Sequence, residues 1–309
     1  MRSSFSHTDC ISLADFSQDA IWTILNLARD IKRRPRKYHS HLSDKTLAMI
    51  FQKASTRTRV SFEVGMFQLG GKALFLSNND MQLNRGESIS DTAQVLSRFC
   101  DGIMIRTFDH TDVIDLAEHA TIPVINGLTD LLHPCQILAD LQTIYEHHGT
   151  LQNQKIVYIG DGNNVAHSWI NAAGRLGLSL TLCVPENYDP DTKILESARL
   201  SCQQSGGTIT LTRNPMEAAE NADVLYTDVW VSMGQDDERT RRLHDLAAYQ
   251  INTALLEKAH SDVLVMHCLP AHRGEEITAE VIDGPHSVVF DEAENRLHAQ
   301  KALLVLLMK

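Results

Sequence analysis

Short apolar runs alternate with helix-period stretches along the whole chain, and few folds accept that alternation. The runs 46–51, 73–76, 102–106 and 122–125 read as buried strands. Ser17 is placed to cap a helix that carries Ile21, Ile24, Leu25 and Ala28 on one face. A further helix is expected over 134–148, with Ile137, Leu138, Leu141, Ile144 and Tyr145 inward. Gly149-Thr150 interrupts the pattern, and a second alternation follows. Its strands are expected at 155–159, 180–184, 208–211, 223–226, 263–266 and 287–290, and an apolar helix over about 292–308 ends the chain. Strands separated by helices make mostly parallel sheets covered by helices. The expectation is therefore an α/β chain of two domains, residues 1–148 and 149–290, with a last helix at 291–309.

A chain of 309 residues can bury sizeable cores, and 43% hydrophobic residues leave no case for disorder. A net charge of −11 argues against general nucleic-acid binding. Any cations that handle an anion must then be concentrated locally. No segment reaches the ~18 apolar residues of a membrane span. Cys10, Cys100, Cys135, Cys183, Cys202 and Cys268 form no CxxC pair, which fits reduced thiols in a cytoplasmic protein.

In open α/β sheets ligands sit beyond the carboxyl ends of strands, so each strand-to-helix junction matters. Ser55-Thr56-Arg57-Thr58-Arg59 follows the run 46–51. It precedes Val60, Val64 and Phe67, whose i, i+4, i+7 spacing predicts the inward face of a helix. A helix start presents free N–H groups, hydroxyls add donors, and guanidinium forks suit phosphate. A simple cap needs one hydroxyl, not three with two guanidinium groups. Arg106 ends the strand 102–106, where it can serve the same anion or be merely solvated. His133 and Gln136 open the helix at Pro134. There the helix dipole favours a neutral imidazole, beside a carboxamide suited to a group of carbonyl and amide character.

Gly160-Asp161-Gly162-Asn163-Asn164 resembles a dinucleotide fingerprint, but position 165 is Val where the third glycine belongs. Its two asparagines can instead present amides to a polar ligand. Asp228 follows the strand 223–226 as a counter-ion for an ammonium, and Ser232-Met233-Gly234 opens a polar stretch, 235–242, too hydrophilic for a core. His267-Cys268-Leu269-Pro270 follows the strand 263–266. A thiol and a Leu-Pro bond open to the cis form suit a shaped active-site turn, and no ligand pair at zinc spacing accompanies them. Arg296 lies one turn into the last helix.

The motifs 51–63 (Phe-Gln-Lys-Ala-Ser-Thr-Arg-Thr-Arg-Val-Ser-Phe-Glu), 133–136 (His-Pro-Cys-Gln), 228–234, 267–270 and 292–296 (Glu-Ala-Glu-Asn-Arg) occur in that order. Together they resemble the aspartate/ornithine carbamoyltransferase family over essentially the whole chain. Ser-Thr-Arg-Thr-Arg and His-Pro-x-Gln are shared with the aspartate-specific members, whereas Ser-Met-Gly marks the ornithine enzymes. The resemblance implies a first domain for carbamoyl phosphate, a second for ornithine, and a last helix that packs back on the first. It implies a homotrimer with active sites at subunit boundaries, Gln82 reaching a neighbour's site, and no cofactor or metal.

Carried over by position, Ser55, Thr56, Arg57, Thr58, Gln82, Arg106, His133, Gln136, Cys268, Leu269 and Arg296 would bind carbamoyl phosphate. Asn164, Asp228, Ser232 and Met233 would bind ornithine. Arg106, His133, Asp228 and Cys268 would be catalytic. The implied reaction is carbamoyl phosphate plus L-ornithine giving L-citrulline plus phosphate, in arginine biosynthesis because the equilibrium favours citrulline. Asp228, Cys268 and the departing phosphate are the candidates for the amine proton. The rival readings are transfer to putrescine, acetylornithine or aspartate, a dinucleotide-dependent oxidoreductase, and an inactive regulatory homologue.

Overall fold

The computed structural model describes residues 5–77, 86–232 and 234–308. The chain separates into two compact units, Met1–Gln142 with Glu294–Lys309, and Thr143–Ala293.

The first unit runs α1 (Gln18–Arg33), α2 (Pro35–Tyr38), β1 (Thr46–Phe51), α3 (Thr56–Gln68), β2 (Lys72–Ser77), α4 (Ile89–Phe99), β3 (Gly102–Arg106), α5 (His110–His119) and β4 (Val124–Leu128), and α6 (Pro134–His148) starts in it and belongs to the second from Thr143. Its strands form a four-stranded parallel sheet in the order β2-β1-β3-β4. Ala48, Ile50, Ile103, Ile105 and Val124 lie in its buried core. Ser17 caps α1, its hydroxyl accepting from the Ala20 N–H, and Ile21, Ile24, Leu25 and Ala28 are buried as the spacing predicts.

The second unit holds β5 (Lys155–Ile159), α7 (Asn164–Leu176), β6 (Ser179–Cys183), α8 (Thr192–Ser205), β7 (Thr208–Thr212), α9 (Pro215–Ala219), β8 (Val224–Thr227), α10 (Arg239–Leu246), α11 (Thr253–Leu256), β9 (Leu264–His267) and α12 (Ala279–Ile282). Its five parallel strands are ordered β7-β6-β5-β8-β9. The last helix, α13 (Val289–Leu307), begins in the second unit and gives residues from Glu294 onward to the first.

Two expectations fail. The buried face of α3 is Thr58, Phe62, Gly65 and Met66. Val60 and Phe67 point out, at 50% and 79% exposure. The spacing identified an apolar stripe correctly, but a stripe does not say what covers it. Residues 287–290 are not a strand. Ser287 makes one bridge to Val265, and α13 has begun by Val289. The β-branched pair Val288-Val289 has strand propensity, but the Glu292 N–H donates to the Val288 carbonyl and closes a helical turn instead.

Both sheets reverse their direction of strand addition in the middle, between β1 and β3 and between β5 and β8. Such switch points leave a crevice at the carboxyl ends of the strands.

Candidate active site

In the first unit the crevice is cationic. Phe51, the last residue of β1, is in register with Arg106, the last of β3. β1 passes directly into the Ser-Thr-Arg-Thr-Arg segment. Ser55 caps α3, with its Oγ accepting the Thr58 N–H at 3.2 Å, so the simple cap is part of the arrangement. Thr58 and Arg106 are buried. Arg296 reaches in from α13, donating from Nη1 to Gln136 Oε1 at 2.6 Å and from Nη2 to Thr58 Oγ1 at 3.3 Å. Gln136 in turn donates to Asp140 Oδ1 at 2.7 Å. The Arg296 guanidinium is therefore joined to a hydroxyl and an amide oxygen in one buried cluster.

His133 belongs to that cluster, and its pKa lies well below the ordinary histidine value. Burial is the first cause, followed by the charges of Arg296, Arg106 and Arg57. The helix dipole, the cause expected from the sequence, is thus not what chiefly holds it there. The imidazole stays neutral because its surroundings are dry and already positive. Arg59 leaves the cluster: its guanidinium stacks on Phe75 at 3.7 Å, and its Nε lies 3.4 Å from Glu63. Lys53, which residue types alone did not single out, is buried, ion-paired to Asp130 and set over the Phe108 ring at 4.3 Å. Nothing in its sequence neighbourhood announces that burial.

In the second unit the crevice carries the opposite sign. Asp228 follows β8 and is 6% exposed. Its Oδ1 accepts the Val229 N–H at 2.8 Å and the Cys268 thiol at 2.9 Å, and its Oδ2 accepts from Asn163 Nδ2 at 2.7 Å. Asp228 and Cys268 are thus brought together, forty residues apart in sequence. Asn164 is the first residue of α7, half-buried. Ser232 is half-buried, held by a turn in which its N–H donates to Gln235 Oε1 at 3.0 Å. The stretch 235–242 is not wholly surface: Arg242 is buried, its Nη1 donating to Asp161 at 2.7 Å. Gln82 and Met233 lie outside the described residues.

The turn after β9 is shaped as its composition suggests. Leu269-Pro270 is cis, and Leu269 has φ of +55°. The Leu269 N–H donates to His267 Nδ1 at 2.9 Å, so the ring proton is on Nε2, which donates to Glu276 Oε1 at 3.0 Å. Asp228, His267 and Cys268 come close enough to suggest a metal cluster. Both ring nitrogens of His267 are already engaged, which removes the imidazole from any such set.

Gly160-Asp161-Gly162 does follow a strand and precede a helix. A Cβ on Gly162 would lie 2.5 Å from Tyr188 O and from Pro190 N, so a neighbouring chain segment fills the space. Asp161 is committed to Arg242. Close backbone packing, and not a pyrophosphate, accounts for this glycine.

Residues 8–146 match the family model described as the aspartate/ornithine carbamoyltransferase carbamoyl-P binding domain. Residues 152–307 match the Asp/Orn binding domain of the same family. The chain is 57% identical over 302 residues to an ornithine carbamoyltransferase of Syntrophus aciditrophicus, covering 97% of this chain and 99% of that one. It is 54% identical over 307 residues to an anabolic ornithine carbamoyltransferase of Pyrococcus furiosus, covering 99% and 98%. The solved structure of ornithine carbamoyltransferase from Pyrococcus furiosus superimposes with a TM-score of 0.95 at 54% identity, over 99% of this chain and 98% of that one.

Proposed function

The chain belongs to the aspartate/ornithine carbamoyltransferase family, and we propose that it transfers the carbamoyl group of carbamoyl phosphate to L-ornithine, releasing L-citrulline and phosphate. The observation that carries this reading is one chain holding two sets of opposite sign. A buried arginine–hydroxyl–imidazole cluster stands at the carboxyl ends of β1 and β3, and a carboxylate–thiol pair at those of β8 and β9.

The leaving phosphate carries about two negative charges. Ser55, Thr56, Arg57, Thr58 and the start of α3 bind it, with Arg106 and Arg296 beside them. Fixed donors aimed at developing charge typically lower a barrier by ~3–4 kcal/mol each. Arg106, His133 and Thr58 stabilise the carbonyl oxygen as the tetrahedral species forms. A neutral His133 donates a hydrogen bond there without adding another charge to a crowded cationic site. Gln136 holds the amide nitrogen.

The nucleophile must be a free amine. With a pKa of ~10.4, only about one lysine-like amine in a thousand is neutral at pH 7. Asp228 and Cys268 orient that amine, and one of Asp228, Cys268 or the departing phosphate takes its proton. Asn164, Ser232 and Met233 bind the amino-acid end of ornithine. No cofactor or metal enters a step.

The enzyme works in the biosynthetic direction, a reading supported by the name of the anabolic relative. It is cytoplasmic, in keeping with six cysteines of which none is in a disulfide. No helix among the described residues is long and apolar enough to cross a membrane. Copies associate as a trimer with shared sites, Gln82 reaching the neighbour. The outward apolar side chains Val60, Phe67 and Leu74 on α3 and edge strand β2 support association. Light scattering should give three times the 34.5 kDa chain mass, and a monomer would end that part of the reading.

The deciding experiment supplies carbamoyl phosphate with ornithine, putrescine, acetylornithine or aspartate and measures each carbamoylated product. Citrulline is expected as the dominant product. Preference for another amine would move the chain elsewhere in the family.

A further inference from the structure

Asn163 has no role in the scheme above, yet its side chain is fully committed. Its Oδ1 accepts from the N–H groups of Val165 and Ala166, at 2.9 and 3.2 Å, and so caps α7. The Tyr158 hydroxyl donates to the same oxygen at 3.1 Å. Three donors around one atom identify it as the oxygen, so the branch facing Asp228 is the nitrogen. It donates to Asp228 Oδ2 at 2.7 Å. The backbone entering this position is fixed as well, because Gly162 abuts Tyr188 and Pro190 with no room for a Cβ.

A cap alone does not call for asparagine. Serine and aspartate cap as well, and aspartate interacts better with the helix dipole. Only asparagine adds a donor on its second branch. We infer that Asn163 is a positioning residue for carbamoyl transfer: it fixes the Asp228 carboxylate in the rotation that presents Oδ1 to Cys268 and to a cationic amine substrate. This rests on the functional reading above.

Among the described residues, the groups facing Asp228 bring it no cation. They are the Cys268 thiol after β9, the Tyr158 phenol on β5, and Asp161, which is already paired with Arg242. His267, the residue before Cys268, has both ring nitrogens engaged, by the Leu269 N–H and by Glu276. The Asp228 carboxylate is therefore held by hydrogen bonds from Asn163, the Val229 amide and the Cys268 thiol, of which Asn163 alone holds Oδ2.

The test is Asn163→Asp, which keeps the cap and sets an oxygen against Asp228, alongside Asn163→Ser, which keeps the cap without the donor. Citrulline formation is followed from pH 6 to 10 with each substrate varied. For Asn163→Asp, kcat/KM for ornithine should fall about 100-fold, with the acid limb of its pH profile moved upward because two facing carboxylates share a proton. KM for carbamoyl phosphate should stay within about twofold. Asn163→Ser should lose about tenfold with the acid limb in place.

A wild-type kcat/KM and profile in Asn163→Asp would overturn the inference. So would equal losses for both substrates with a lower Tm, the mark of a purely structural residue. A wild-type protein that makes no citrulline would defeat the reaction assignment instead. The clamp is then judged by carbon NMR titration of the Asp228 carboxyl: a raised pKa in Asn163→Asp supports it, and an unchanged titration overturns it.

Discussion

The two sheets offer the same location and fill it with opposite charge. In the first unit the switch point between β1 and β3 gathers guanidinium groups, hydroxyls and an imidazole that burial and three arginines keep neutral. In the second the switch point between β5 and β8 gathers a carboxylate, a thiol and an amide clamp. The fold decides where a ligand goes, and the residues placed just after the strands decide which sign it carries. The two sets also differ in construction. The cationic set begins as one contiguous segment, 55–58, ordered by a helix start. The acidic set is made of residues from three separate junctions, joined only by tertiary hydrogen bonds.

That difference can be broken from either side. Arg57→Ala removes a permanent charge from the anion set. The expected loss in kcat/KM for carbamoyl phosphate is about 10²–10³-fold, the value of one fixed donor, with the circular dichroism spectrum unchanged. Near-normal activity would remove the phosphate assignment. Asp228→Asn keeps the shape and deletes the countercharge. KM for ornithine should rise and kcat fall, together about 10–100-fold, while KM for carbamoyl phosphate moves little. If only the carbamoyl phosphate kinetics responded, the division of roles between the two sets would be wrong.

The contrast also explains what was legible in the sequence. The alternation of periods located nearly every strand, because buried parallel strands are continuous apolar runs. Ser-Thr-Arg-Thr-Arg was readable as an anion site because its donors are neighbours in the chain. The partnership of Arg296 with Thr58 and Gln136 was not, since it spans 238 and 160 residues. Nor was the grip of Asn163 on Asp228, although an asparagine just before a helix signals a cap. Val60 and Phe67 misled because local spacing finds an apolar face without saying whether the same chain covers it. Val288-Val289 misled because propensity yields to the helix that follows.

Lys301 sharpens the comparison by showing what a buried ammonium does in the unit that holds the arginine cluster. It sits on α13, five residues after Arg296, 2% exposed, with its Nζ donating to Gln68 Oε1 at 2.8 Å. Burial pulls its pKa down to about 8 from 10.5, partly opposed by the charge of Glu294. Below about pH 8 the lysine is charged in both folded and unfolded chains, and the folded protein bears the cost of burying it. Between about 8 and 10.5 the unfolded chain binds more proton, so stability rises with pH; above that window the cost has gone. Lys301→Met should therefore stabilise the protein at pH 7 by about 2 kcal/mol, read from denaturant midpoints, with the gain shrinking as pH climbs through the window. A gain or loss equal at every pH would mean that the ammonium carries no such cost, since losing the bond to Gln68 contributes only a constant. An ammonium this deep begins to lose its charge near neutral pH, whereas a guanidinium does not. The buried cations of the cluster, Arg106 and Arg296, are accordingly arginines, which keep their charge where a lysine would lose it.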